Sequence, residues 1–347
     1  KVLKQNFNTI KVKVRRIGGG FGGKESQSFL FAAITSIFSK KLKRPIKLRA
    51  DRDDDMIITG KRHDFYYKYE VGFNDKGKIL GLKIILASRC GISPDLSKAI
   101  NDRAIYHIDN AYYIPNIDLI SYRCKTNTVS NTAFRGFGGP QGMFCIENII
   151  ENISQHLKID SYLIRNNNFY QVNKNNITPY DMKIEDNIIQ DLFSDLLKSS
   201  NYIKRKKNIN KFNKNNKIFK KGLSITPVKF GISFTTTHLN QAGSLVHIYT
   251  DGSIHLNHGG IEMGQGLMIK IAQLAAKEFG VDLNNIKITS TNTEKVPNTS
   301  ASAASASTDL NGAATINAIK RIKKNLNIFI KFFYNYKSDN IIYKNNF

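Results

Sequence analysis

Three times along this chain a strand-like run meets a glycine-rich loop and then a stretch of helical periodicity. Residues 11–14 alternate as Lys-Val-Lys-Val, enter Gly18-Gly19-Gly20-Phe21-Gly22-Gly23-Lys24-Glu25, and give way to a helical pattern over 28–42. Residues 121–125 lead to Ala133-Phe134-Arg135-Gly136-Phe137-Gly138-Gly139-Pro140-Gln141-Gly142 and a helical run over 143–157. Residues 245–250 and 253–257 pair across Asp251-Gly252, a strong hairpin signal. They run into Gly259-Gly260-Ile261-Glu262-Met263-Gly264-Gln265-Gly266 and a helix over 267–279. Strand, loop and helix in this order call for an α/β chain with mixed (α+β) sheets.

Glycines ahead of a helix let backbone approach a ligand and leave N–H groups pointing at it. The first loop nearly matches two phosphate-binding fingerprints. Gly18, Gly20 and Gly23 have dinucleotide spacing, and Gly18, Gly23 and Lys24 have the spacing of a nucleotide-hydrolase loop. Each match fails at the residue that carries the chemistry. Glu25 stands where a magnesium-holding Ser or Thr belongs, and residues 43–48 hold no acid to read a ribose. The loop reads as an anion cradle but not as a triphosphate site. In the second loop Arg135 adds a fixed cationic fork and Phe137 a flat wall for a ring.

A length of 347 residues allows one large domain or two ordinary ones. Between 166 and 221 the composition shifts to Asn and Lys, with a short amphipathic helix near 188–197. That stretch reads as a connection between domains 1–165 and 222–347, with residues 222–234 returning to apolar strands. A hairpin is expected from 65–73 and 79–87 around residues 74–77, and a charged turn over 49–55. Arg103 reads by itself as a surface residue. Residues 297–305 are small and precede a helix that carries 313–330.

The balance of 52 basic and 27 acidic residues gives a net charge of +25. The basic residues are scattered among Asn and Ile, which reads as compositional drift rather than a nucleic-acid-binding face. Cys90, Cys124 and Cys145 have neither zinc nor disulfide spacing and read as reduced core residues of a cytoplasmic protein. No apolar run is long enough to span a bilayer.

Taken together, residues 18–25, 133–142, 234 with 239–243, 259–266 and 296–312 resemble, in family order, the molybdenum-binding portion of the xanthine dehydrogenase/aldehyde oxidase family. The resemblance implies two molybdopterin-binding subdomains with the cofactor at their interface, the second incomplete at its C-terminus. It implies cofactor contacts from Gly20, Phe21, Gly22, Arg135, Gly136, Gly264, Gln265, Ala303, Ala304 and Ser305, with Phe21, Arg135 and Ala304 beside the molybdenum. Glu25 and Arg103 would meet opposite edges of a purine, with Phe137, Phe234 and Thr235 around its ring. Holding both Glu25 and Arg103 favours a purine oxidiser, converting hypoxanthine and xanthine to urate, over the aldehyde oxidase alternative.

The implied reaction adds a water-derived oxygen to a ring carbon and sends electrons through 2Fe-2S centres and FAD to NAD. Three scattered cysteines offer no cluster site. An iron–sulfur/FAD subunit or further sequence, and a dimer of heterodimers, are therefore expected, with no nucleic acid or membrane partner. The family's general base, a Glu, would lie beyond residue 347, so a fragment or a truncated, inactive remnant is also expected.

Overall fold

The computed structural model describes residues 2–232, 237–295, 299–303, 306–335 and 341–344. Along the chain come β1 (Lys13–Val14), α1 (Ser28–Leu42), α2 (Arg52–Ile58), β2 (Phe65–Phe73), β3 (Ile79–Gly91), α3 (Ser97–Ile105), β4 (Ile117–Lys125), α4 (Gly139–Leu157), α5 (Ser161–Asn168), α6 (Ile189–Ser199) and α7 (Tyr202–Asn215). There follow β5 (Ser244–Ile248), β6 (Ile254–His258), α8 (Leu267–Phe279), β7 (Ile286–Ile288), β8 (Thr291–Asn292) and α9 (Ala306–Phe333).

The chain forms two compact units, residues 50–231 and residues 1–49 with 232–347. This grouping departs from a division at 165 and 222, for two reasons. β1 pairs antiparallel with β8, Lys13 opposite Asn292, which ties the N-terminal segment to the C-terminal one. Residues 166–221 are no mere connection either, because Phe193 of α6 and Tyr202 of α7 are buried in the core of the 50–231 unit.

In that unit β2 and β3 pair antiparallel and β4 adds parallel to β3, giving the order β2-β3-β4. A parallel neighbour needs a crossover, and α3 lies on it. β2 alternates half-buried and exposed residues along its whole length, as a strand with one covered face must. The cover includes α4, whose Ile146, Ile149, Ile150 and Ile153 follow helical spacing and are at most 1% exposed. Each such side chain contributes roughly 1.5–3 kcal/mol by leaving water. Arg165 of α5, 1% exposed, bonds Glu147 at 2.9 Å and Glu151 at 2.7 Å, fastening α5 to α4.

In the other unit β5 and β6 form the expected hairpin, with Gly252 at φ +81° in its turn, and β7 adds parallel to β6 after α8. The two units thus repeat one plan: hairpin, crossover helix, parallel strand, long helix. Ile254, Leu256, Leu267, Ile271, Ala275, Phe279 and Ile319 form this unit's core. α1 has the expected bounds but buries none of its residues, leaving Phe29 70% and Phe38 50% exposed.

Three expectations are corrected. The charged turn at 49–55 is the start of α2, because the Asp51 carboxylate caps it by accepting the Asp54 N–H at 2.8 Å, and three further acids favour the first turn. The described part of 222–234 carries no strand. Cys124 is exposed, near the open end of edge strand β4, whereas Cys90 and Cys145 are buried.

Candidate cofactor and substrate site

The second glycine loop closes onto α3. Gly138, at φ +96°, starts α4, and a Cβ there would collide with the Ile100 carbonyl and lie 3.2 Å from the Ala104 nitrogen. A Cβ on Gly142 would lie 3.1 Å from His107, and one on Gly139 would lie 2.7 Å from the Phe230 ring. These glycines let two helices and an aromatic ring approach rather than cradle a ligand. Arg135 is exposed, and its carbonyl accepts a 2.7 Å hydrogen bond from Arg62, whose guanidinium lies 4.6 Å over the Phe134 ring.

Arg103 is not a surface residue. It sits on α3 and is 5% exposed. Its guanidinium donates to the Gly231 carbonyl and lies 5.3 Å from the Phe230 ring and 6.0 Å from the Phe137 ring. Burial lowers its pKa, but a guanidinium remains charged. A cation walled by two aromatic faces, with little water, is suited to a planar ligand that carries or develops negative charge.

The backbone of residues 227–231 is held by side chains from α3 and the turn after it. Asn110 donates to Pro227 O at 3.0 Å and accepts from the Lys229 N–H at 3.0 Å. Lys229 pairs with the fully buried Asp109, which also accepts from Tyr170 at 2.7 Å. His107 Nε2 accepts the Gly231 N–H at 3.2 Å, so the proton lies on Nδ1, which donates to Arg103 O at 2.8 Å. Burial lowers the His107 pKa to about 4, and the ring stays neutral.

In the other unit the first and third glycine loops adjoin. The Ile17 N–H donates to Glu262 O at 3.1 Å, and a Cβ on Gly20 would stand 2.5 Å from Met263 Sδ. Lys24 bends back to Gly19 O at 2.6 Å, away from the role of a phosphate-binding lysine. Phe21 is 62% exposed at φ +53°, and Gly22 has φ +89°. Glu25 is exposed beside the start of α1.

Glu262 organises the third loop. Its carboxylate accepts the Gly264 N–H at 2.8 Å, the Gly266 N–H at 3.1 Å and the Met268 N–H at 3.1 Å, at the N-terminus of α8. Burial alone would raise its pKa, but these donors and the nearby Arg16 hold it below the usual carboxylate range. Gln265 accepts from Met263 N at 2.6 Å and donates to Ile261 O at 3.0 Å. Ser302, next to Ala303, accepts from Ile261 N at 2.6 Å, and Ser300 accepts from Gln241 N at 2.9 Å. His258, 1% exposed, accepts the Gly260 N–H at 3.1 Å, and burial lowers its pKa to about 4.

Gly18, Gly23 and Gly264 face open space: among the described residues a Cβ on any of them would meet nothing within 4 Å, and Gly23 and Gly264 have positive φ. The only carboxylate inside the third loop is already saturated by backbone donors. An open backbone cradle whose third-loop carboxylate is already engaged by backbone N–H groups fits an anionic pterin. Phe234, Thr235, Ala304 and Ser305 lie outside the described residues. An open cleft of about 1010 Å³ beside Pro115 and Pro179 holds none of the expected site residues.

His107, Phe230 and Glu262 were not expected from sequence. Of the three, Glu262 alone carries a local signal, an acid just ahead of a helix start.

The backbone cradle of one unit suits an anionic group, and the buried arginine near two aromatic rings in the other suits a planar ligand. A family model described as molybdopterin cofactor-binding domain matches residues 1–169, and a second of the same description matches 195–347. The xanthine dehydrogenase of Dictyostelium discoideum is 47% identical over 321 residues, which cover 92% of this chain and 24% of that protein. The xanthine dehydrogenase/oxidase of Gallus gallus is 46% identical over 319 residues, 92% of this chain and 23% of that protein.

Among solved structures, quinoline 2-oxidoreductase from Pseudomonas putida 86 superposes with a TM-score of 0.82 at 18% identity, over 97% of this chain and 44% of its own. The CO dehydrogenase of Oligotropha carboxidovorans gives 0.77 at 22% identity, over 95% and 43%. The chain belongs to the molybdopterin cofactor-binding domains of the xanthine dehydrogenase/aldehyde oxidase family. It spans about a quarter of the length of the curated relatives it matches.

Proposed function

We propose that this chain is the molybdenum-cofactor-holding part of a xanthine dehydrogenase that hydroxylates hypoxanthine and xanthine to urate. The observation that carries the reading is Arg103: buried, charged and within 5.3 Å of the Phe230 ring and 6.0 Å of the Phe137 ring. When bound, the molybdenum–molybdopterin group supplies the two-electron oxidation that adds a water-derived oxygen to a ring carbon.

In this reading Gly20, Phe21, Gly22, Gly264, Gln265 and Ala303 hold the cofactor through backbone and amide groups, with Arg135, Gly136, Ala304 and Ser305 contributing, and Phe21, Arg135 and Ala304 nearest the metal. Neutral donors and one arginine stabilise the anionic group without competing for the metal. Arg103 meets one edge of the purine and stabilises negative charge that develops on it, worth a few kcal/mol in a dry site. Glu25 meets the other edge and assists proton shifts. Phe137, Phe234 and Thr235 bound the ring.

Electrons leave through 2Fe-2S and FAD on another part of the protein or a partner subunit, within a cytoplasmic dimer of heterodimers. Among the described residues no helix is long and apolar enough to cross a membrane.

The test uses the molybdenum-loaded holoenzyme. Glu25→Ala and Arg103→Met should lower purine turnover by roughly a hundredfold and aldehyde turnover much less, with molybdenum content unchanged. Equal loss of metal and of both activities would overturn the substrate assignment.

A further inference from the structure

We infer that His107 is a positioning residue for Arg103, acting through the backbone of Gly231; the inference rests on the reading of Arg103 as the group that meets the purine. One residue, Gly231, links the two side chains through the peptide groups on either side of its Cα. Its N–H is received by His107 Nε2 at 3.2 Å, and its C=O receives the Arg103 guanidinium. The other face of the imidazole closes the loop, because Nδ1 donates to the backbone carbonyl of Arg103 itself at 2.8 Å. His107 thereby fixes both the origin of the Arg103 side chain and the carbonyl that holds its far end.

The ring also packs against Phe230, with centroids 5.0 Å apart and planes tilted by 52°, and the guanidinium lies over that same Phe230 ring. Among the described residues, 227–231 have no strand partner, and their backbone bonds to Asn110, His107 and Arg103 run to side chains. Removing the His107 acceptor frees the N–H side of Gly231, the residue whose carbonyl anchors the guanidinium. A long, flexible side chain then samples orientations that miss the purine edge. An aldehyde offers no such edge, so its turnover is indifferent to the change.

Two substitutions separate the hydrogen bonds from the packing. His107→Phe keeps an aromatic ring against Phe230 but neither accepts nor donates. His107→Gln keeps one acceptor and one donor. In the molybdenum-loaded holoenzyme, H107F should lower purine kcat/KM by about tenfold or more, mainly through kcat, with aldehyde turnover and molybdenum content within about twofold of the parent. H107Q should recover most of the loss. H107F acting equally on purine and aldehyde, or on neither, overturns the inference.

R103M is run alongside. If it fails to discriminate purine from aldehyde, the reading of Arg103 falls, and the role of His107 with it. If R103M discriminates but H107F does not, the role of His107 alone is rejected. Hydrogen-exchange mass spectrometry of the unmodified enzyme needs no variant to fold. The peptide containing the Gly231 amide should exchange slowly, and exchange at the rate of unprotected chain would overturn the proposal.

Discussion

The Glu262 carboxylate accepts the N–H of Gly264, two residues on, at 2.8 Å, and through it the third glycine loop carries its own anion. The same carboxylate reaches Gly266 and Met268, so two of the donors at the start of α8 are already engaged. Glu262→Gln should therefore destabilise the fold by about 1–3 kcal/mol, because an amide replaces a charge-assisted acceptor and turns an NH₂ toward backbone donors. Urea unfolding at pH 7 measures it. The folded pKa of Glu262 lies below its ordinary value, so its stabilisation is present above that value and lost as pH falls through the folded pKa. The variant should lack that part of the acid limb.

A second acid effect comes from histidine. His107 and His258 are buried neutral, each with a pKa lowered to about 4 by burial. Unfolded, each titrates near 6.5. Between about pH 6.5 and 4 the unfolded chain binds the extra protons, so stability is full above the unfolded pKa and declines as pH falls. The slope reaches about 1.4 kcal/mol per pH unit for each ring. Unfolding free energies measured from pH 7 to 4.5 should show this decline, and His258→Gln should make it shallower.

The core of the 50–231 unit depends on the isoleucine face of α4. Ile150 is 0% exposed and packs into the core built on β3. Ile150→Ala removes a fully buried side chain and leaves a void, at a cost of about 2–5 kcal/mol. The solvent-facing Phe144, 63% exposed on the same helix, should tolerate Ala with a change near about 0.5 kcal/mol. Denaturant midpoints of the two variants give the comparison.

Elements with strong periodicity were legible in the sequence. The bounds of α1 and α8 follow their apolar spacing, and Asp251-Gly252 marks the β5–β6 turn. α7 was hidden because its Lys and Asn content reads as solvated linker, although Tyr202 at its start is buried in the core. Residues 227–231 read as strand because extended apolar chain usually pairs with strands, whereas here side chains near α3 satisfy the backbone. Arg103 gave no local signal. Its partner Gly231 lies 128 positions away, and only the fold brings them together.

The glycines separate in the same way into those that serve packing and those that face open space, and substitution should tell them apart. Gly138 and Gly264 both have positive φ, +96° and +98°. A side chain at either costs about 1–2 kcal/mol of backbone strain. At Gly138 a Cβ would also press into the Ile100 carbonyl on α3, so Gly138→Ala must displace one helix from another. At Gly264 no described residue lies within 4 Å, and the added methyl would enter the space the proposed function gives to the cofactor. Gly138→Ala should therefore lower the unfolding free energy well beyond the strain term, by more than about 3 kcal/mol in total. Gly264→Ala should remain folded with a loss near the strain term alone, yet load less molybdopterin, read as pterin released per protein. Similar stability losses at both positions, with pterin content unchanged at Gly264, would remove the third loop from the cofactor site.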